Sequence, residues 1–318
     1  IKYGPCDDAI GAGFFSGRYT ATIVAAGSVA KKILKNCGIS VFAFIREAAG
    51  VRCKEENINK IKKYTDSFKQ MRRDYDSFYK IVYEQNMVTM DMRFLEKMKV
   101  FATIEKQIDE IRAKTPKIDS KTIIKKYKVH PVVNCPDIET AESMFVSCNK
   151  IAKAGDSSGG VIEVIATGLP VGLGEPVFNK LDGELGRMLG IGAVKGVEIG
   201  AGFRVKDMTG SQCNDQMRSQ NGKVVFDSNN AGGVTGGLST GQPLIIRLTI
   251  KPTPTIAKEQ YTIDKYTLKN KKLAAITRRD QTIVGRIWPV CENYTAIVLL
   301  DLLISYYGYS RLRDINQS

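Results

Sequence analysis

Histidine is almost missing from this 318-residue chain: His130 is the only one, so chemistry that needs two imidazoles cannot be assembled from these residues. Cysteine is sparse and ungrouped. The seven residues (Cys6, Cys37, Cys53, Cys135, Cys148, Cys213 and Cys291) are odd in number, far apart and without a CxxC pair. That pattern excludes a disulfide framework or a zinc site, and the expectation is reduced thiols, a cytoplasmic location and no metal. No charged leader followed by a short apolar run and a small-residue cleavage site is visible, so no secretory signal is read. The longest apolar run, Thr295 to Ile304, is interrupted by Asp301 and is too short to cross a bilayer, which points to a soluble protein without a membrane partner. Nucleotide signatures are missing as well. There is no GxxxxGK[ST], and Gly168, Gly172 and Gly174 in GLPVGLGEP are separated by Pro170 and followed by Pro176, which stops a Rossmann helix from starting there.

Glycine is absent between Gly50 and Gly155, whereas 20 of the 29 glycines fall from Gly155 to Gly241, so two kinds of structure are expected. In the glycine-free part, Ile58, Ile61, Phe68, Met71, Tyr75, Phe78 and Val82 recur at helical spacing. Leu95, Met98, Ala102, Ile108 and Ile111 repeat the pattern, with a turn expected at 86–91 and Pro116 past the second end. This reads as a helical hairpin. Ala21 to Lys35 reads as a closely packed buried helix, and Pro289 to Tyr306 as another, its proline in the first turn. Val161–Thr167, Lys195–Ile199 and Leu244–Ile250 read as strands bounded by glycine or proline. Helices and strands without regular βαβ alternation imply an α+β fold with antiparallel sheet.

The sequence is rich in positive charge. Net charge is +14, and the stretch from Lys54 to Lys128, with 19 Lys+Arg against 12 Asp+Glu, carries half of the excess. A balance this basic points to an anionic partner. Nucleic acid is not the expected partner, because the lysines of this stretch are interspersed with acids and Phe68, Tyr75 and Phe78 lie on the apolar stripe and not on a stacking face. Three glycine clusters, at 10–18, 155–160 and 228–237, are flanked by hydroxyl and amide residues, and each could form an anion-binding nest or a plain tight turn.

Gly155 to Phe203, GDSSGGVIEVIATGLPVGLGEPVFNKLDGELGRMLGIGAVKGVEIGAGF, resembles chorismate synthase over nearly its whole length. Ser228 to Thr255, SNNAGGVTGGLSTGQPLIIRLTIKPTPT, is similar to the NNAGGxxGG turn and KPT loop of that family. Lys2 to Lys32 resembles its YG…AAG block with AKK, and Arg278 to Leu303 its RHDP block and terminal helix. The resemblance implies a β-α-β sandwich with antiparallel sheets around core helices, divided here into a partial core at 1–53, a lysine-rich helical insertion at 54–128 and the rest of the core at 129–318.

What it implies about activity is anti-1,4-elimination of phosphate from 5-enolpyruvylshikimate 3-phosphate to give chorismate, with reduced FMN as cofactor. The partners it implies are this phosphorylated small molecule and further copies of the chain in a homotetramer. Carried over by position, flavin contacts fall on Phe14, Phe15, Ser16, Gly192, Ala193, Gly236, Lys251, Pro252, Thr253, Pro254, Thr255 and Arg278. Substrate contacts fall on Arg18 and Arg278, and Asp280 is the carboxylate expected to help catalysis. The sequence departs from the family at Ile10 and Phe14, at Arg279 where the family has histidine, and at Gln281 where it has proline. Family members begin upstream of the position of Ile1 with GESHG and RPGHAD motifs and both proton-donor histidines, so an incomplete sequence is expected. A second reading, from the same departures, is a catalytically incomplete relative that only binds or assembles.

Overall fold

The computed structural model describes residues 16–55, 57–74, 120–274 and 280–308. The second arm of the expected hairpin lies outside them, as do Phe14, Phe15, Arg278 and Arg279. The chain divides into two compact units, Ile1–Cys53 with Ser143–Ser318, and Lys54–Glu142.

The larger unit is built on a five-stranded sheet in the order β2-β1-β3-β9-β4, comprising β2 (Val51–Arg52), β1 (Ser40–Ala48), β3 (Gly160–Thr167), β9 (Leu244–Ile250) and β4 (Val194–Ile199). Every pairing is antiparallel. The expected strands are β3, β4 and β9, with β3 and β4 starting one residue earlier than read. β1 was not expected. Its sequence, SVFAFIREA, buries both faces, so it shows no polar alternation for a period-two reading to find. β9 does alternate, burying Leu244, Ile246, Leu248 and Ile250 while Thr249 is exposed.

Charge is buried across three neighbouring strands. Glu163 on β3 is in register with Arg247 on β9, and its Oε2 receives Arg247 Nε at 2.8 Å. Arg46, where the β1 register shifts between Ile45 and Glu47, brings its Nε to 3.7 Å from the same oxygen. A bulge is what re-aims a side chain in this way.

Two helices pack together and on β1: α1 (Thr20–Asn36) and the last helix, α7 (Val284–Tyr307). α1 is buried only along Gly27, Ala30 and Leu34, and Val29 is 59% exposed, so it is a one-sided helix and not the fully buried one expected. α7 starts five residues before Pro289, which therefore lies inside the helix. It is also long and apolar enough to cross a membrane by length and composition, which the ten-residue run suggested it was not; 61% of the apolar window is buried inside the molecule. The buried Glu292 explains the arrangement better: it pairs with Lys31 of α1 at 2.5 Å and accepts the N–H of Ala43 in β1 at 2.9 Å. One carboxylate thus ties two helices to a strand.

The Lys54–Glu142 unit contains α2 (Ile58–Asp74) and α3 (Ser120–Tyr127), and α4 (Ile138–Lys153) begins within it. α2 buries Ile61, Phe68 and Met71 of the predicted stripe together with Tyr64 and Thr65, which were not read in it; Ile58 is half-buried, and Tyr75, Phe78 and Val82 lie outside the described residues. His130 is buried in the following loop. Its Nδ1 accepts the N–H groups of Val132 (3.1 Å) and Val133 (2.9 Å), so Nε2 carries the proton and donates to Glu142 Oε2 at 3.1 Å. The lone histidine therefore has a structural role. Burial pushes its pKa below the usual imidazole range, against the raising effect of Glu142.

Because the folded pKa is depressed, His130 contributes stability above its unfolded value of about 6.5 and loses it as pH falls through the folded value. Urea midpoints are expected to drop between about pH 7 and pH 5. A His130→Asn variant, which keeps an acceptor but does not titrate, should show a flatter profile; parent stability that rises on acidification would rule this out.

Candidate functional site

Strand register explains why distant segments meet. Gly160 of β3 and Val194 of β4 are both paired with Ile250 of β9, so the loops before β3 and β4 and the loop after β9 leave the same end of the sheet. Hydrogen bonds then join them. Lys251 N–H donates to Ala193 C=O at 2.9 Å, and Ser157 Oγ donates to Thr253 C=O at 2.7 Å. The segment entering α7 docks on the same cluster: Ser158 N–H donates to Gln281 C=O at 3.0 Å, and Thr253 Oγ to Asp280 C=O at 2.7 Å. Ala193, Lys251, Thr253 and Asp280 are thereby brought together, with Pro252, Pro254 and Thr255 in the same loop.

The turn at 191–194 is unusual. Val194 N–H bonds Ile191 C=O at 3.1 Å and Ala193 has φ +75°, a type II turn with alanine where glycine is favoured. Left-handed backbone strains an L-residue and persists only where its surroundings hold it, here the Lys251 bond. Among the described residues, neither Gly192 nor Ala193 meets a protein acceptor through its N–H, and Gly192 is exposed with open space on its Cβ side. Two backbone donors are therefore available beside the Lys251 loop.

Asp280 is exposed, and its carboxylate pairs with Arg286 Nη1 at 2.9 Å. Arg286 was not singled out from the sequence. It lies six residues after Asp280, and only the bend into α7 turns it back.

Gly236 does not join this cluster. With Gly237 it forms the two-residue turn of the hairpin β7 (Val234–Thr235) and β8 (Leu238–Ser239), both glycines at positive φ as a type I′ turn requires. Leu181 N–H at the start of α5 (Leu181–Gly186) donates to Gly237 C=O at 2.8 Å, and Gly172 N–H to Ser239 C=O at 2.8 Å. Those anchors lie in the segments after β3. Among the described residues no hydrogen bond links Gly236 to Ala193, Lys251, Thr253 or Asp280.

Ser16 and Arg18 stand at the start of α1. Ser16 Oγ accepts Arg18 N–H at 3.3 Å, and the Arg18 side chain is exposed. The neighbouring Tyr19 acts electrostatically on Tyr294, a phenol that burial pushes up in pKa and that also feels Arg187 and Glu184.

Two of the glycine clusters fall on described residues, and the protein itself uses them. Asp215 accepts the N–H groups of Asn230 (2.7 Å) and Ala231 (2.8 Å) and the hydroxyl of Ser228 (2.5 Å), while Asn229 Oδ1 accepts Gly233 N–H at 2.8 Å. The anion at this turn is the protein's own carboxylate. Burial raises the Asp215 pKa, but these donors outweigh it and the net shift is downward. At 155–160, Asp156 accepts Ser157 N–H at 2.9 Å and pairs with Lys258 at 2.6 Å, so it caps a turn.

The family model described as chorismate synthase matches residues 1–304. The chain belongs to the chorismate synthase family. It is 38% identical over 97% of its length to a chorismate synthase of Acetivibrio thermocellus and 37% identical over 95% to one of Methanococcoides burtonii. It spans 63% and 66% of the lengths of those two relatives. A crystal structure of chorismate synthase superposes with a TM-score of 0.64 at 24% identity, covering 95% of this chain and 68% of that one, and shows that the α+β fold is shared.

Proposed function

We propose that this chain forms the flavin- and substrate-binding core of a chorismate synthase, a lyase that removes phosphate from 5-enolpyruvylshikimate 3-phosphate by anti-1,4-elimination. The observation that carries the reading is the meeting of the 157–158, 193, 251–253 and 280–282 segments at one end of the sheet, beside two backbone N–H groups without acceptors among the described residues. Gly192 and Ala193 would donate to the edge or phosphate of reduced FMN, Lys251 would supply a cation, and Thr253 and Thr255 would complete the wall. These donors fit an anionic, planar group. Ser16, Arg18 and Gly236 would contribute from neighbouring segments, together with Phe14, Phe15 and Arg278. Reduced FMN, when bound, supplies transient electron density to the departing allylic phosphate.

The residues of the chain bind and orient. Lys251 and Arg18 would hold substrate or cofactor anions, and Asp280, paired with Arg286, would help the bound flavin act as a base. The 54–128 segment is read as an insertion into the family core, and the assembly as a cytoplasmic homotetramer. Deletion of the insertion should leave a folded core, and sedimentation should give four times the mass of the chain.

Titration of the purified chain with reduced FMN is expected to change the flavin spectrum saturably. Lys251→Ala should weaken binding roughly tenfold, about 1.4 kcal/mol, as for the loss of one charge-assisted contact. An unchanged flavin spectrum would end the flavin reading. Turnover by the chain extended with its natural upstream sequence would rule out the catalytically incomplete relative.

A further inference from the structure

The segment linking the 251–255 loop to Asp280 contains a two-stranded ribbon, β10 (Gln260–Ile263) paired with β11 (Asn270–Leu273). Its surface is unlike that of α2. There the aromatic Tyr64 and Phe68 are buried, whereas Tyr261 and Tyr266 on the ribbon are 86% and 83% exposed. Each ring has a lysine above it: Lys272 Nζ lies 5.7 Å from the Tyr261 centroid and Lys265 Nζ 4.9 Å from that of Tyr266. Tyr261 and Lys272 are cross-strand partners, so ring and ammonium share a face. The tip is ordered by Asp264, whose Oδ1 accepts the N–H groups of Tyr266 (3.0 Å) and Thr267 (2.9 Å).

We propose that this ribbon is a binding surface for single-stranded nucleic acid. Exposed rings that stack bases, interleaved with ammonium groups that meet phosphates, are the elements such binding needs. A tip that is already ordered loses little entropy when it engages. The expectation against nucleic acid rested on the acids among the lysines of 54–128 and on its buried aromatics; the ribbon reverses the second criterion, while its Lys272 also pairs with Glu259 at 2.7 Å and Lys271 lies 3.8 Å from Asp264. A lipid surface suits it less well, because Asp264, Lys265 and Lys269 stand at the apex and would have to enter the apolar layer. A small anion alone would leave the two rings without a role.

The test is fluorescence anisotropy of labelled oligo(dT) and oligo(U) of about 12 nucleotides against the full 318-residue chain. Saturable binding that weakens with salt is expected. Tyr261→Ala with Tyr266→Ala should weaken it at least about tenfold. Lys265→Gln, Lys269→Gln and Lys272→Gln together should lower the slope of log K against log salt by about 2. The same triple change at Lys62, Lys63 and Lys69 of α2 should leave binding unchanged. Thermal melts of the ribbon variants should match the parent, since the altered ribbon side chains are solvent-exposed. The proposal is overturned by absence of binding, by ribbon variants that bind like the parent, or by sedimentation with phosphatidylserine vesicles when the oligonucleotides do not bind.

Discussion

Replacing Glu163 with alanine is expected to cost about 3–5 kcal/mol of folding free energy, because the change leaves two buried guanidinium groups without their shared carboxylate. The Glu163 side chain is only 6% exposed, and those of Arg46 and Arg247 are 4% and 14% exposed. Water therefore cannot replace the lost partner cheaply, unlike at a surface pair. The loss should appear as a lower urea midpoint with an unchanged slope. Replacing all three together, Arg46→Met with Glu163→Leu and Arg247→Met, should recover most of it, since a buried ion cluster is no more stable than a well-packed apolar one. Recovery should be incomplete, because Gly200 C=O also loses the donor that Arg247 Nη1 brings to 2.6 Å. If Glu163→Ala unfolds at the parental urea concentration, the cluster carries none of the stability assigned to it.

Gly27→Val is expected to destabilise the larger unit by about 3 kcal/mol, at the upper end for an overpacked contact. A Cβ at Gly27 would lie 2.3 Å from Asn293 Cβ, 2.5 Å from Asn293 O and 2.7 Å from its Cα. Two of those three atoms are backbone of α7, so no rotamer change relieves the overlap and the helices must separate. Separation also strains the Lys31–Glu292 pair and the bond from Ala43 N–H, which depend on the same closeness. Even alanine should be harmful here. Val29→Ala, two residues along on the exposed side of α1, should stay within about 0.5 kcal/mol of the parent. A Gly27→Val protein that melts with the parent would show that α1 and α7 are not packed as described.

Much of this could be read before any coordinates. The runs Gly160–Thr167 and Leu244–Ile250 lie between turn-forming residues and are rich in isoleucine and valine, so their local chemistry allows little but strand. The α2 stripe was legible for a similar reason, since helical spacing puts its large apolar side chains on one side. Four ordered blocks of sequence sufficed to name the family. They did so because loops that must adopt particular backbone conformations restrict their residues more tightly than cores do.

Other features depend on residues far apart in the chain. Nothing local to SVFAFIREA separates a strand buried on both faces from a piece of buried helix, and only its neighbours β2 and β3 decide the matter. The turn at 228–237 looks like an empty anion nest until Asp215, thirteen residues before Ser228, is seen to fill it. Arg286 reaches Asp280 only because α7 starts ahead of Pro289. The meeting of Ala193, Lys251 and Asp280 follows from strand register. Local propensity specifies an element through its own few residues, whereas register, burial and the partner of each buried charge are set when distant segments compete to satisfy one another.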